Sequence, residues 1–140
     1  MLTLETARQI VKAARDKGRE LGLKPLTVTV LDAAGATILM EREDGSAPMR
    51  PRIAHGKAFG AVQMGMGSRA LGNRAEQQAY FIQAMNALAG GDLVPVPGGV
   101  LVRDGDTIVG AVGITGDTSD NDEACAIAGI EAAGLKADAG

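Results

Sequence analysis

Tryptophan is absent from this sequence, and one tyrosine and two phenylalanines are its whole aromatic content over 140 residues. A core of this composition has to be built from Val, Ile, Leu, Ala and Met, and a ligand that stacks on rings has only Phe59, Tyr80 and Phe81 to meet. The one cysteine, Cys125, excludes an intrachain disulfide and the paired-cysteine metal arrangements. The one histidine, His55, excludes a His/His metal site and leaves a single side chain of the type that ordinarily titrates near neutrality. Basic runs are missing and the net charge is −3, so nucleic acid is not expected as a partner, because phosphate binding depends on clustered Lys and Arg. No membrane span is expected either, for want of a long apolar run, and the charged amphipathic start MLTLETARQIVKAARDKG lacks the apolar core of a signal peptide. Cytoplasm is the expected location.

What the chain has in quantity is small residues, with 20 glycines beside a hydrophobic content of 46%. The length suits one domain, residues 1–140, burying about two thirds of its unfolded surface. Ala7, Ile10, Val11, Ala14 and Leu21 recur at helical spacing, so Thr3 to Leu21 reads as a one-sided surface helix ended by Gly22 and Pro25. Leu26 to Leu31 and Ala36 to Arg42 form a strand pair across the turn Asp32-Ala33-Ala34-Gly35. Pro51 suits the first turn of a helix from Arg52 to Met64, in which Gly56 and Gly60 each cost up to ~1 kcal/mol and therefore imply a close neighbour. Ser68 is placed to cap a short irregular helix toward Gln77, a further helix runs from Gln78 to Ala89, and Leu93 to Val96 reads as a short strand before Pro97.

The stretch from Val94 to Gly134 organises the rest. Val100 to Arg103 and Thr107 to Thr115 are β-branched runs around Asp104-Gly105-Asp106, a hairpin pattern. Gly110 and Gly113 in the second run mark close approach of another backbone or a ligand. The loop Asp117 to Asn121 leads into a helix, with Ser119 and Asp122 spaced as a capping box and Gly134 as its stop. The order is an α+β domain with five mainly antiparallel strands.

Pro97-Gly98-Gly99, the run Ile108 to Gly116, Asp120-Asn121-Asp122-Glu123 before the small-residue helix Ala124 to Gly129, and the patch Ala54-His55-Gly56-Lys57-Ala58 together resemble the GlcG/HbpS-like family. That family includes the C-terminal domain of PduO-type proteins and a haem-binding protein. The resemblance covers nearly the whole chain. It implies a profilin-like sheet with helices packed on it, haem, a related tetrapyrrole or a small organic acid as ligand, and dimers or higher homo-oligomers.

The residues themselves leave several chemistries open. On one helix His55 shares a face with Arg52 and Phe59, whereas Lys57 lies about 200° round, so the two do not serve one pocket. His55 reads as a surface or interface residue, or as a ligand or general base. Lys57, among small and apolar neighbours, is either paired, snorkelling or serving an anionic ligand, with a carboxylate of the Asp117 to Glu123 loop as its natural partner. That acidic loop reads as capping, as pocket lining by Asp117 or Thr118, or as an oxygen site for Mg²⁺ or Ca²⁺. Gly110-x-x-Gly113-x-x-Gly116 lacks the spacing of a phosphate loop. Cys125 reads as a small buried hydrophobe, and Met40, Met64 and Met66 as core filling or as porphyrin contacts.

The leading expectation is a small-ligand binder with its pocket between Lys57, Pro97-Gly98-Gly99 and Gly116, Asp117 and Thr118. The rivals are an enzyme acting on a small carbonyl or hydroxy acid with Lys57 or His55 as base, and a non-catalytic accessory subunit. Alanines around the last helix predict a homo-oligomer joined through that helix.

Overall fold

The computed structural model describes residues 1–140. Helix α1 (Leu4–Glu20) starts where the Thr3 hydroxyl accepts the Thr6 N–H, and it buries Ala7, Ile10, Val11 and Ala14. β1 (Thr27–Asp32) and β2 (Thr37–Arg42) form the first hairpin. Its turn is held by the Asp32 carboxylate accepting the N–H groups of Ala34 and Ala36. Three helices follow: α2 (Arg50–Met64), α3 (Ser68–Gln77) and α4 (Ala79–Leu88). β3 (Gly99–Asp104) and β4 (Thr107–Thr115) form the second hairpin, then α5 (Ser119–Ala132) and the short β5 (Lys136–Asp138) close the chain.

The five strands make one sheet in the order β2-β1-β4-β3-β5, with every neighbouring pair antiparallel. Helices cover both faces. On one side α1 and α5 pack together over Val28, Val30, Val100, Val102, Val112 and Ile114, the main core. On the other, α2 lies over Leu31, Leu101 and Ala111 through Ala58 and Ala61. A third cluster, Leu71, Ile82 and Leu93, joins α3 and α4 to the segment after them.

Glycine sets how closely the layers meet. A Cβ on Gly113 would stand 2.0 Å from the Ala54 carbonyl oxygen, so α2 can sit on the centre of the sheet only because that position has no side chain. Gly56 and Gly60 accept Val94 and Leu93 in the same way, so the close neighbours expected beside these glycines are the chain's own side chains.

Four local expectations need correction. Leu93 to Val96 is not a strand; the fifth strand is β5, which reaches the sheet because Leu101 to Arg103 still have a free edge. Helix α3 is regular over ten residues, and Ser68 is its first residue and not its cap. The cap of α5 is Thr118, whose hydroxyl accepts the Asn121 N–H, so Ser119 and Asp122 form no capping box. Finally, the small face of α5 is already occupied by α1, since a Cβ on Gly129 would meet the Ile10 carbonyl oxygen at 2.6 Å.

Candidate functional site

The fold brings together most of the residues singled out from the sequence, but it closes them on one another. Lys57 points from α2 through the Gly98 turn toward the start of α5. Its Nζ donates to the Ile114 carbonyl oxygen at 2.9 Å and to Asp122 Oδ2 at 3.2 Å. The two side chains are 2% and 1% exposed. Burial pushes the Lys57 ammonium down and the Asp122 carboxyl up, each opposed by the charge of the other. A Cβ on Gly98 would meet Lys57 Nζ at 2.8 Å, and one on Gly99 would meet the Lys57 carbonyl oxygen at 2.2 Å. The glycines thus make room for Lys57 itself. Pro97 stands one residue before them, half-buried.

Asp117 and Thr118 brace the same turn. Asp117 donates its N–H to Asp122 Oδ1, and its carboxylate accepts from Lys24, Thr118 and Asn121, which holds it down at about 2. Gly116, at φ 153, lets the chain pass the Pro25 carbonyl oxygen, which a Cβ would approach to 2.2 Å. Glu123 and Asp120 are both bound by Arg69 of α3. With its carboxylates committed in this way, the acidic loop is a structural clamp across the end of β4, and no group of three or more His, Cys, Asp or Glu side chains gathers as a metal site. Cys125 is buried, and burial pushes its thiol up to about 11, outside the range of a nucleophile.

Open space lies on the opposite side of α2. Arg52, His55, Phe59 and Gln63 follow one another at spacings of three and four, a single stripe facing away from Lys57. The His55 and Phe59 rings stack with centroids 5.3 Å apart and an interplanar angle of 22°. The stripe runs between two hollows. One, about 320 Å³, is apolar and lined by Phe59, Met64, Met85, Leu88 and Leu93. The other, about 290 Å³, is polar and lined by Thr29, Thr37, Met40, Arg52, His55 and Asp92. Arg52 and Asp92 are exposed and belong to none of the chain's ion pairs. An apolar cavity beside a few convergent polar groups is the common form of a small-molecule site.

The sequence separated His55 from Lys57 and named a carboxylate of the Asp117 to Glu123 loop as the partner of Lys57, which is Asp122, but it gave Lys57 the larger part in a ligand site. The signal available was the stripe itself: Arg52 and His55 are too large and polar for a helix face against a sheet, while Lys57 sits on the small-residue face that must be buried. Asp92, Thr29 and Thr37 carried no such signal.

A family model described as "Haem degrading protein HbpS-like" matches residues 2–131. The chain belongs to the HbpS-like family. Among solved structures, HbpS itself is 30% identical with a TM-score of 0.80, over 94% of this chain and 89% of that one. A PduOC:heme complex superposes with a TM-score of 0.87 at 23% identity, over 96% of each chain, which shows the shared fold. A curated relative from Citrobacter freundii, an uncharacterized 15.0 kDa protein of a dhaT-dhaS intergenic region, is 28% identical over 123 residues, 86% of this chain and 84% of that one. The α+β fold of this chain, helices on a five-stranded antiparallel sheet, matches these HbpS and PduOC structures. No helix of this member is long and apolar enough to cross a membrane.

Proposed function

We propose that this protein binds haem or a related tetrapyrrole in the groove beside α2, with His55 as the iron ligand and Arg52 as the cation for a propionate. The observation that carries the reading is the position of His55. The molecule's one imidazole stands half-buried on the open side of α2, oriented by its stack on Phe59, between an apolar hollow and a polar one. Imidazole is a common protein ligand of haem iron. The Met64, Met85, Leu88 and Leu93 wall suits an apolar macrocycle edge, and the Arg52 guanidinium matches a carboxylate. Bound haem would supply a redox-active iron; the chain supplies the ligand, the charge partner and partial shelter from water.

The family description and the haem in a fold relative support this ligand class. The rival in which Lys57 acts as a catalytic base finds no reachable ammonium, because Lys57 is sealed against Asp122 and Ile114.

Titration of the purified protein with haemin, followed by the Soret band, tests the proposal. Wild type is expected to saturate at one haem per chain. Since loss of even an outer-shell partner costs metal affinity about 10- to 100-fold, His55→Ala is expected to weaken binding by at least about tenfold and to shift the band. An unchanged affinity and spectrum would remove His55 from the site.

A further inference from the structure

We infer that the polar hollow beside His55 binds a small α-amino acid as its zwitterion, with Arg52 taking the carboxylate, Asp92 the ammonium and the Thr29 hydroxyl bonding the ligand from the floor. In the haem reading the macrocycle lies against the apolar hollow; this inference takes the polar one and stands without that reading.

The argument starts at the floor. Thr29 pairs with Gly113, where the Ala54 carbonyl oxygen occupies the place of a side chain, so Thr29 lies on the sheet face that carries α2. Thr27, two residues earlier on the same face, shares its hydroxyl with Ser46 at 2.8 Å, and its paired residue Thr115 accepts from Arg50 at 2.7 Å. No group of the chain meets the Thr29 hydroxyl in this way, although the residue is 1% exposed. No side-chain oxygen of a covered residue is both sealed from solvent and unpartnered, so the Thr29 hydroxyl opens into the hollow that Thr29 lines. Its partner comes from whatever occupies that space.

Two opposite charges border the hollow from different elements. Seven of the nine arginines donate to an acceptor within the chain; Arg8 and Arg52 do not. Asp92 is held against α2 one turn beyond Arg52: a Cβ on Gly56 would stand 3.6 Å from the Asp92 carbonyl oxygen, and the Val94 N–H donates to the Gly56 carbonyl at 3.2 Å. Arg52 and Asp92 line this hollow together and form no ion pair with each other. A guanidinium is matched bidentately by a carboxylate. A simple acid would leave Asp92 facing a like charge, and a polyol would leave Arg52 without an anion, whereas a zwitterion meets both. The volume, about 290 Å³, lies at the low end of ligand cavities and suits a molecule of amino-acid size, with Met40 and Pro51 as the apolar part of the wall.

Isothermal titration calorimetry of the purified protein tests this with L-serine and two analogues: L-glycerate, which has a hydroxyl in place of the ammonium, and ethanolamine, which lacks the carboxylate. L-serine is expected to saturate one site per chain and to bind at least about tenfold more tightly than either analogue, because a hydrogen bond to a charged group is worth about that factor or more. Asp92 is exposed, so Asp92→Asn is expected to fold as wild type does and to bind L-serine at least about tenfold more weakly, with L-glycerate unchanged. Arg52→Gln should weaken both. Thr29→Val loses no bond within the chain and suits a strand, so it should weaken L-serine without lowering the denaturation midpoint. No saturable heat with L-serine, L-glycerate binding as tightly as L-serine, or L-serine binding unchanged in any of the three variants would overturn the inference. Absence of haem uptake by wild type would overturn the haem reading and leave this site standing.

Discussion

Lys57 and Asp122 bury two opposite charges 3.2 Å apart; the Ile114 carbonyl accepts a second ammonium proton and the Asp117 N–H donates to the other carboxylate oxygen. Such a pair contributes little net stability against an apolar replacement, but removing one member strands the other without solvent and costs about 3–5 kcal/mol. Lys57→Met keeps the aliphatic stem and discards the ammonium, so its unfolding free energy should fall by an amount in that range, seen as a lower denaturation midpoint. The double variant Lys57→Met with Asp122→Asn, which removes the orphaned charge and keeps an acceptor for Asp117, should recover most of the loss. The pH dependence has a definite sign. Asp122 is already held above its ordinary 3.8 by burial, and losing Lys57 raises it further. The folded variant then binds a proton more tightly than the unfolded chain, so its stability rises as pH falls toward 3.8 and drops as pH rises. Urea melts of Lys57→Met from neutral pH downward check this; a flat profile with an unchanged midpoint would leave the pair energetically idle.

The start of β3 shows how separate elements complete one another. β5 pairs only with Leu101 to Arg103, so Gly99 reaches past the end of its partner strand with both backbone groups turned to a free edge. Ser68, the first residue of α3, fills that gap: its hydroxyl accepts the Gly99 N–H at 2.7 Å and donates to the Gly99 carbonyl oxygen at 3.2 Å. The arrangement is closed by the chain end, because a Cβ on Gly67 would meet the Ala139 carbonyl at 2.1 Å. Ser68→Ala leaves two buried backbone groups unpaired and should cost about 1–3 kcal/mol in a denaturation experiment. Gly99→Val should cost more than Ser68→Ala, because its Cβ would stand 2.2 Å from a helix carbonyl that cannot move without lifting α2. If Gly99→Val melts with wild type, the close contact between β3 and α2 is absent in solution.

Over the whole molecule, the distribution of small residues has been used internally. The alanine and glycine face of α5 meets α1, and the glycines of α2 meet the sheet and the Leu93-Val94 segment. The Gly129 face of α5 is therefore taken by α1 within the chain and is not the surface that would join copies. Exposed apolar surface remains on the α4 side, where Tyr80 and Leu88 are 70% and 82% exposed. We propose self-association through this side: light scattering of wild type should give a multiple of 14.2 kDa, and Tyr80→Glu should lower it. A mass of 14.2 kDa for wild type would remove the proposal.

Much of the architecture was legible in order along the chain. Periodicity at Ala7, Ile10, Val11 and Ala14, the Asp32 turn, the run from Thr107 to Thr115 and Gly134 as a helix stop are local signals. Each depends on neighbours within a few residues, and together they specified an α+β chain with two hairpins. The sequence also placed His55 and Lys57 on different faces of one helix, since the rise and turn of a helix are fixed. Which of them met solvent depended on the side of α2 that the sheet covers, and that was decided by Gly113 pairing opposite Thr29 and accepting the Ala54 carbonyl. β5 escaped reading because a three-residue strand has no period of its own and forms only where β3 leaves an edge unpaired. Asp122 looked like a cap because its spacing from Ser119 fits one; its burial against Lys57 follows from two segments 65 residues apart being brought together, which only the folded chain does.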